Sequence, residues 1–232
     1  DRMPFSRQDM GGFENKIAVL LAKELGAQLT FEWVPQNKEM LTDNLRVGKC
    51  DVVMGVQDGQ ATLMSTIAYY RSPYVFVQRA DKPFRVNMFD DPLLPTLRIG
   101  VQDSIGPTHD AVRVRGMGAN ILEFYDFDLR QGVAEVAADK VDVAILWGGA
   151  AGYYAANAPV PLVVLPIEPE FEPPFTPMFV NIAVGLRRGE EEFQQMLDFA
   201  IARQWEAINK VLEEYHVPIM PLQQPLLTVE GR

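Results

Sequence analysis

Few side chains in this sequence are of the types that carry out covalent catalysis. Ser104 and His109 lie five residues apart at a predicted helix start, a spacing that a nucleophile and its base could use. A helix cap and a surface histidine are the favoured explanation of the same two residues. The Gly-x-Ser-x-Gly elbow of hydrolases is absent from the sequence. Free backbone N–H groups at 104–108 could bind an anion, although Pro107 also suits an ordinary helix start.

Candidate metal ligands are also few. The alternating Glu168, Glu170 and Glu172 could bind a hard cation through their oxygens, or they could form a solvated acidic edge. Because the chain has one cysteine and two histidines, a His/Cys metal centre is disfavoured, and neither a metal nor a cofactor is expected. Cys50 is expected in the core, and the alternative is a disulfide with a cysteine that precedes Asp1.

Aromatic residues are concentrated at or near the predicted strand ends. They are Phe5, Phe13, Tyr69, Tyr70, Tyr74, Trp147, Tyr153 and Tyr154. In open α/β sheets ligands bind at the carboxyl ends of strands, so this set predicts a large apolar cleft. Ordinary core packing is the alternative for any one residue. Gly148, Gly149 and Gly152 follow a predicted strand, but they lack the Gly-x-Gly-x-x-Gly order of a dinucleotide site.

The charge balance excludes two classes of partner. The 232 residues include 31 Asp+Glu against 21 Lys+Arg, a formal charge of −10. Nucleic acids require clusters of Lys and Arg, and anionic membranes attract basic surfaces. No apolar run approaches the ~20 residues that span a bilayer. We therefore expect neither nucleic acid nor membrane as a partner.

Apolar periodicity predicts alternating helices and strands along the chain. Helices are predicted at residues 13–25, 38–47, 106–114, 129–138 and 190–215, with another starting at 147. Strands are predicted at residues 28–34, 50–56, 97–101, 121–125, 141–146 and 179–186. The segment 159–177 contains seven prolines, which excludes a helix or a central strand there.

This order of elements predicts parallel sheets covered by helices. The two halves of the chain echo each other, since Asp51 and Asp142 each begin a buried strand after a helix. We therefore predict two similar α/β lobes. Residues 1–80 and 188–232 form the first lobe, and residues 81–187 form the second as an insertion.

Several motifs together resemble the type II periplasmic solute-binding proteins that bind amino acids. They are Gly12-Phe13 opening a helix that ends in Leu25-Gly26, Leu45-x-x-Gly48-Lys49-x-Asp51, Ser72-Pro73-Tyr74, Ile99-Gly100-Val101-Gln102 and Ile182-Ala183-Val184. The resemblance covers nearly the whole chain. It implies a two-lobed α/β fold, each lobe a mostly parallel sheet flanked by helices, with two crossover strands and a ligand cleft between the lobes. It also implies export to the periplasm and a first strand that precedes Asp1.

Two positions depart from that family's pattern. The family has an arginine about nine residues before the proline of the Ser-x-Pro-Tyr motif, which clamps the ligand's α-carboxylate; counting back from Pro73 gives Met64. A thioether cannot supply the bidentate cation that such a clamp needs. The family also has an aspartate after the buried strand of the second lobe, where this sequence has Trp147. Amino-acid binding by the usual mechanism is therefore not expected.

Three longer runs resemble a narrower group, the J-type accessory proteins of quinoprotein methanol dehydrogenases. They are Gly12-Phe13-Glu14-Asn15-Lys16-Ile17-Ala18, Gly48-Lys49-Cys50-Asp51-Val52-Val53-Met54-Gly55-Val56 and Tyr69-Tyr70-Arg71-Ser72-x-Tyr74-Val75-Phe76-Val77. The resemblance implies a periplasmic protein that binds or matures a dehydrogenase carrying pyrroloquinoline quinone (PQQ). In that group the strand upstream tends to carry a cysteine, which favours the disulfide alternative for Cys50.

We therefore expect a non-enzymatic periplasmic accessory protein of a PQQ-dependent methanol dehydrogenase, with an apolar cleft that binds the partner or an unidentified small ligand. The alternative is a transport receptor for a small molecule other than a standard amino acid. An enzyme such as a dehydratase would need an acid–base pair in the cleft, for which Asp58 and Asp103 are the candidates. The expected cleft or partner-binding residues are Phe5, Phe13, Gln57, Asp58, Met64, Tyr69, Tyr74, Asp103, Ser104 and Trp147.

Overall fold

The chain divides into two compact units and changes unit four times. The computed structural model describes residues 2–34, 43–102, 106–118, 121–124 and 129–225. The first unit comprises Asp1–Arg71, Asn181–Glu214 and Pro221–Arg232, and the second comprises Ser72–Val180 and Tyr215–Met220. Two changes of unit fall within strands, at 71/72 and 180/181, before the boundaries at 80/81 and 187/188 that were expected from the sequence. Two more fall at 214/215 and 220/221, because residues 215–220 belong to the second unit.

The helices are, in chain order, α1 (Phe13–Glu24), α2 (Pro107–Val114), α3 (Leu129–Ala137), α4 (Gly148–Ala156), α5 (Glu191–Arg203) and α6 (Trp205–Glu214). Residues 43–46 are also helical. The strands are β1 (Val52–Gln57), β2 (Met64–Ser65), β3 (Tyr70–Arg79), β4 (Ile99–Gln102), β5 (Ile121–Phe124), β6 (Val143–Trp147), β7 (Leu162–Pro166), β8 (Phe171–Glu172), β9 (Thr176–Pro177) and β10 (Phe179–Leu186).

In the first unit, helices cover a small antiparallel sheet. Strand β10 pairs antiparallel with β1 and with β2. Helix α1 packs against α5 and α6 and is tied to α6 by a 2.7 Å ion pair between Lys16 and Glu214. Its apolar residues recur at helical spacing, so Phe13, Ile17 and Leu21 are all buried. This packing fixes the start of α1 within the unit.

The second unit is built on strands of both directions. Strand β4 pairs parallel with β5 and β6, and β3 pairs antiparallel with β6 and β7. Its core draws on the sheet and on the segments that surround it. The core residues are Phe76, Val86, Phe89, Leu94, Leu97, Ile99, Val101, Ala111, Val112, Met117, Val143, Ile145, Ile167 and Met178.

The predicted fold class is confirmed as a two-unit α/β fold with helices flanking sheets. One detail differs, because the pairings described in the first unit are antiparallel. Strand β10 returns from the second unit and therefore runs opposite to β1. In the segment with seven prolines, β7 pairs only with β3 among the described strands, as expected of an edge strand.

Two predicted elements are different in the structure. Residues 28–34 form no ladder with any described strand, and the Phe31 and Trp33 rings stack at 5.8 Å instead. A strand needs a hydrogen-bonded partner, which alternation alone does not supply. The helix predicted over 190–215 is divided at Gln204, where the backbone leaves helical geometry (φ −94°, ψ 9°). Of the helix predicted over 38–47, residues 38–42 lie outside the described residues.

No helix in the described part of the chain combines the length and the apolar character needed to cross a membrane.

Candidate functional site

Four aromatic rings form a cluster at the start of α1 in the first unit. Phe5 lies 5.4 Å from Phe13, Phe13 lies 6.0 Å from Tyr70, and Tyr70 lies 5.2 Å from Tyr69, measured between ring centroids. A Cβ on Gly12 would lie 2.1 Å from the Phe5 carbonyl oxygen, so only glycine allows this close approach. The cluster therefore joins the N-terminal loop, α1 and β3.

A buried carboxyl group lies beneath this cluster. Glu14 is 5% exposed, and its Oε2 accepts a 2.5 Å hydrogen bond from the Tyr69 hydroxyl. The Gly55 N–H donates to the same hydroxyl oxygen at 3.1 Å. Glu14 Oε1 and the Tyr70 hydroxyl are buried, and neither has a hydrogen-bond partner among the described residues. The group is thus an incompletely satisfied polar cluster within an apolar core.

Burial controls the protonation of this cluster. Desolvation raises the pKa of Glu14 to about 7, and the hydrogen bond from Tyr69 partly opposes it. Burial also raises the pKa of Tyr69 and of Tyr70 well above the usual range, so both phenols stay neutral. Glu14 can therefore hold a proton near neutral pH, but its burial keeps it from contacting a bulky substrate.

Glu14 lies within the motif at residues 12–18, and its sequence context predicted no separate role for it. An acidic residue in the first turn of a helix ordinarily complements the helix dipole, which hides any other role. The burial of Phe13 and Tyr69, both 0% exposed, also differs from the expectation that they line a cleft. Each packs inside the first unit because ring contacts and the Glu14 hydrogen bond hold it there.

A polar turn joins β1 and β2 in the same unit. Gln57 and Asp58 are exposed, and Met64 is partly buried. The Asp58 carboxylate accepts a 2.7 Å hydrogen bond from the Ser65 hydroxyl, and the Asp58 N–H donates to the Asn181 carbonyl at 3.0 Å. The structure thus places three predicted site residues on one short segment. Of the three, only Asp58 has a charged side chain.

In the second unit, Tyr74 and Trp147 face each other across the antiparallel β3–β6 ladder. The Trp147 ring covers the start of α4: a Cβ on Gly149 would lie 2.4 Å from it, and a Cβ on Gly148 would lie 2.6 Å from the Pro73 carbonyl oxygen. These two glycines therefore allow close packing of β6, α4 and β3. Packing explains them without a dinucleotide site.

The remaining aromatic residues hold the C-terminal segment on the second unit. Tyr153 of α4 lies 5.5 Å from Tyr154 and 6.0 Å from Tyr215, with the latter two rings stacked. The Ser72 hydroxyl donates a 2.8 Å hydrogen bond to the Pro218 carbonyl. Tyr215, which the sequence analysis placed only on a helix face, thus belongs to an aromatic group.

The proposed catalytic and metal groups are dispersed or committed elsewhere. Asp103 and Ser104 lie outside the described residues, so the acid–base and nucleophile hypotheses for them stay predictions. His109 is buried rather than on the surface, and its Nε2 lies 3.1 Å from a Glu123 carboxylate oxygen. The surface-histidine expectation is wrong because α2 packs this face against β4 and its neighbours.

The alternating glutamates do not form a ligand set. Glu172 is buried and forms an ion pair with Arg115, while Glu168 and Glu170 are exposed. Within the described ranges no group of three His, Cys, Asp or Glu side chains could hold a metal ion. Cys50 is partly buried, and desolvation raises the pKa of its thiol, which disfavours the reactive thiolate.

The fold is that of a known class of binding proteins. The chain is a member of the bacterial extracellular solute-binding proteins, family 3, whose model matches residues 1–217.

Individual relatives of the chain define a narrower group within this family. Protein MoxJ of Methylorubrum extorquens is 25% identical over 96% of this chain and 80% of its own length. The crystal structure of periplasmic binding protein XoxJ from Methylobacterium extorquens AM1 is 32% identical, with a TM-score of 0.79, and the match covers 95% of this chain and 96% of XoxJ. The crystal structure of MxaJ from Methlophaga aminisulfidivorans MPT matches with a TM-score of 0.82 at 24% identity, over 95% of this chain and 97% of MxaJ, which shows the shared fold.

These comparisons confirm the resemblance to the J-type group and the type II binding-protein fold. The description of the family as extracellular and of XoxJ as periplasmic agrees with the expected periplasmic location. Membership of a solute-binding family likewise agrees with a binding role rather than a catalytic one.

Proposed function

We propose that this chain is a non-enzymatic periplasmic accessory protein of methanol oxidation, which binds or helps mature a PQQ-dependent methanol dehydrogenase. The observation that carries the proposal is the 32% identity to XoxJ over 95% of this chain and 96% of XoxJ. Coverage this complete in both chains supports a common role more strongly than fold alone, since one fold serves many functions.

The residues at the two departures from the amino-acid-binding pattern support the same proposal. Met64 lies on β2, and Trp147 ends β6 opposite Tyr74 of β3. Neither side chain can form the charged hydrogen bonds by which an α-carboxylate or an α-amino group is recognised. A protein that keeps the solute-binding fold without these groups is suited to a partner or ligand of different chemistry.

Exposure divides the expected site residues between two roles. Phe5, Gln57, Asp58 and Met64 in the first unit are at least partly accessible, as are Tyr74 and Trp147 in the second. We propose these six for contact with the dehydrogenase or with a small ligand, together with Asp103 and Ser104. Phe13 and Tyr69 are buried, and Phe13 packs against Phe5.

Native mass spectrometry of the purified chain with the holo-dehydrogenase tests the proposal. We expect a complex of defined stoichiometry at tens of micromolar, and dissociation constants can then be measured by calorimetry. Absence of a complex at that concentration, together with unchanged activation of the apo-dehydrogenase by PQQ when the chain is added, would contradict both binding and maturation.

The family match also favours a second candidate, a transport receptor for a small solute other than a standard amino acid. A thermal-shift screen separates the two functions. A ligand at 100 times its dissociation constant stabilises the native state by about 2.7 kcal/mol. A clear shift with a small metabolite, but none with the dehydrogenase, would favour the receptor; the twenty amino acids serve as the control set and should give no shift.

A further inference from the structure

A short hairpin in the second unit exposes two aromatic side chains. It comprises residues 168–177 and is called the Phe175 hairpin below: β8 and β9 pair antiparallel, and Pro173, Pro174 and Phe175 form the turn. Phe175 is 88% exposed, and Phe171 is 50% exposed. No other large apolar side chain in the described residues is as exposed as Phe175. Such exposure costs hydrophobic free energy unless a partner covers the ring.

The hairpin is held at two points, one beside the turn and one at its open end. Glu172 forms a buried ion pair with Arg115 of the α2 end, and Arg115 in turn pairs with Asp90 at 2.7 Å. The Met178 N–H donates a 2.8 Å hydrogen bond to the Glu170 carbonyl, at the open end of the hairpin. A turn held from both strands presents Phe175 in a preorganised position, so a partner loses little chain entropy on binding it.

The surroundings of the two rings are acidic. The sequence of the hairpin contains three glutamates and no lysine or arginine. Glu168 and Glu170 are exposed. The Asp90 carboxylate, which pairs with the same Arg115 as Glu172, is 79% exposed. The positive charge of Arg115 is committed to two carboxylates. The complementary surface is therefore an apolar pocket with a rim of lysine and arginine.

We propose that the Phe175 hairpin docks into such a pocket on the methanol dehydrogenase, with Phe175 as the buried anchor and Glu168 and Glu170 facing basic rim residues. This inference rests on the proposed function and adds the surface by which the partner is bound. Phe175 is 88% exposed at the turn of a held hairpin, and an exposed rigid ring of this kind matches a pocket on a protein better than it matches a small solute. Buried aromatic anchors of this kind carry much of the binding energy in protein interfaces.

Calorimetry with the full chain and the holo-dehydrogenase tests the inference. Phe175→Ser should weaken binding at least tenfold without lowering the melting temperature, because the native ring is almost fully exposed. Phe199→Ser is the matched control: Phe199 is 49% exposed on α5 of the first unit, and its replacement should change affinity less than twofold. The pair Glu168→Gln and Glu170→Gln should weaken binding at low salt and flatten its salt dependence.

The outcomes separate the two proposals. If the wild-type chain forms no complex, the hairpin inference fails, and if it also leaves activation of the apo-dehydrogenase by PQQ unchanged, the proposed function fails with it. If the wild-type chain binds and Phe175→Ser binds equally well, only the hairpin inference fails. A wild-type dimer in native mass spectra that Phe175→Ser dissociates would show that the hairpin is covered by a second copy, which also overturns the inference.

Discussion

The Tyr69 hydroxyl donates a 2.5 Å hydrogen bond to Glu14, and this pair sets the electrostatics of the first unit's core. Its acceptor carboxyl is buried, and desolvation raises the pKa of Glu14 to about 7 from an ordinary value of 4.5. Burying an ionised carboxyl group without a cationic partner costs free energy, and the group avoids that cost when it is protonated. The pair therefore couples the stability of this unit to the pH of its surroundings.

We predict that stability falls as the pH rises from about 4.5 to about 7. In that window the folded chain keeps the Glu14 proton while the unfolded chain has released it, so the folded state binds more protons and raising the pH favours unfolding. Since one pKa unit corresponds to about 1.4 kcal/mol, the full effect is about 3 kcal/mol. Urea unfolding at several pH values measures the slope.

Glu14→Gln should remove most of that slope, because glutamine resembles the protonated acid. The variant should match the wild type near pH 4.5 and exceed its stability at pH 8 by up to about 3 kcal/mol. Glu191→Gln, which changes an exposed carboxylate in the first turn of α5, is the control and should leave the slope unchanged. Equal slopes in Glu14→Gln and wild type would contradict the assignment.

Tyr69→Phe tests the hydrogen bond itself. Loss of the hydroxyl leaves Glu14 Oε2 and the Gly55 N–H without this contact, which should cost about 1–3 kcal/mol. The fall in stability with pH should extend to a higher pH, because the Tyr69 hydrogen bond lowers the pKa of Glu14. Urea titrations at fixed pH values measure both effects.

Tyr70→Phe provides the matched control for that experiment. The Tyr70 hydroxyl is buried without a hydrogen-bond partner in the described residues, so its removal should cost little or should stabilise the chain. If Tyr69→Phe proved as mild as Tyr70→Phe, the hydrogen bond to Glu14 would contribute nothing measurable.

Gly55→Ala should destabilise the chain more than Gly59→Ala. Both glycines have positive φ angles, +71° and +77°, so both substitutions carry a backbone cost of about 1 kcal/mol. At Gly55 the new Cβ would lie 3.2 Å from Glu14 Oε1, whereas at Gly59 no atom of the described part of the chain lies within 4 Å. The difference in melting temperature between the two variants measures the cost of the contact with Glu14. Equal decreases in melting temperature would show that the Glu14 carboxyl group moves aside freely.

Local patterns predicted most of the fold but little of the candidate site. The strand at 179–186 agrees with β10 because apolar alternation and length are local properties. The Glu14–Tyr69 bond joins residues 55 positions apart, and no local pattern indicates that an acid in a first helical turn is buried. The Glu172–Arg115 ion pair could not be predicted for the same reason, because its residues are distant in sequence. Alternating glutamates beside prolines are also typical of a solvated edge.

The similarity between the two halves of the sequence corresponds to a similar ion pair within each unit. Asp142 accepts hydrogen bonds from Arg98, at 2.9 Å from its backbone N–H and 2.7 Å from its guanidinium. Asp51 lies 3.3 Å from the Arg187 guanidinium. In both cases an aspartate that precedes a strand pairs with an arginine flanking the adjacent strand, β4 or β10. The repeated sequence pattern therefore reflects a repeated ion pair.

Gly152→Ala should release the C-terminal segment 215–220 from the second unit. A Cβ at this position would lie 1.8 Å from the His216 carbonyl oxygen and 2.7 Å from Pro218 Cδ, so the segment or α4 must move. Alanine favours a helix over glycine by about 1 kcal/mol, but overpacking of this kind costs about 1–3 kcal/mol and should prevail.

Limited digestion with chymotrypsin measures that release, because Tyr215 lies in the docked segment. Cleavage at Tyr215 should accelerate at least tenfold in Gly152→Ala, with a lower melting temperature. Gly118→Ala is the control, since no atom of the described residues lies within 4 Å of a Cβ there, and its digestion should match the wild type. If both variants were cut at the wild-type rate, the contact with His216 would not hold the segment, and Tyr215 stacking on Tyr153 would have to suffice.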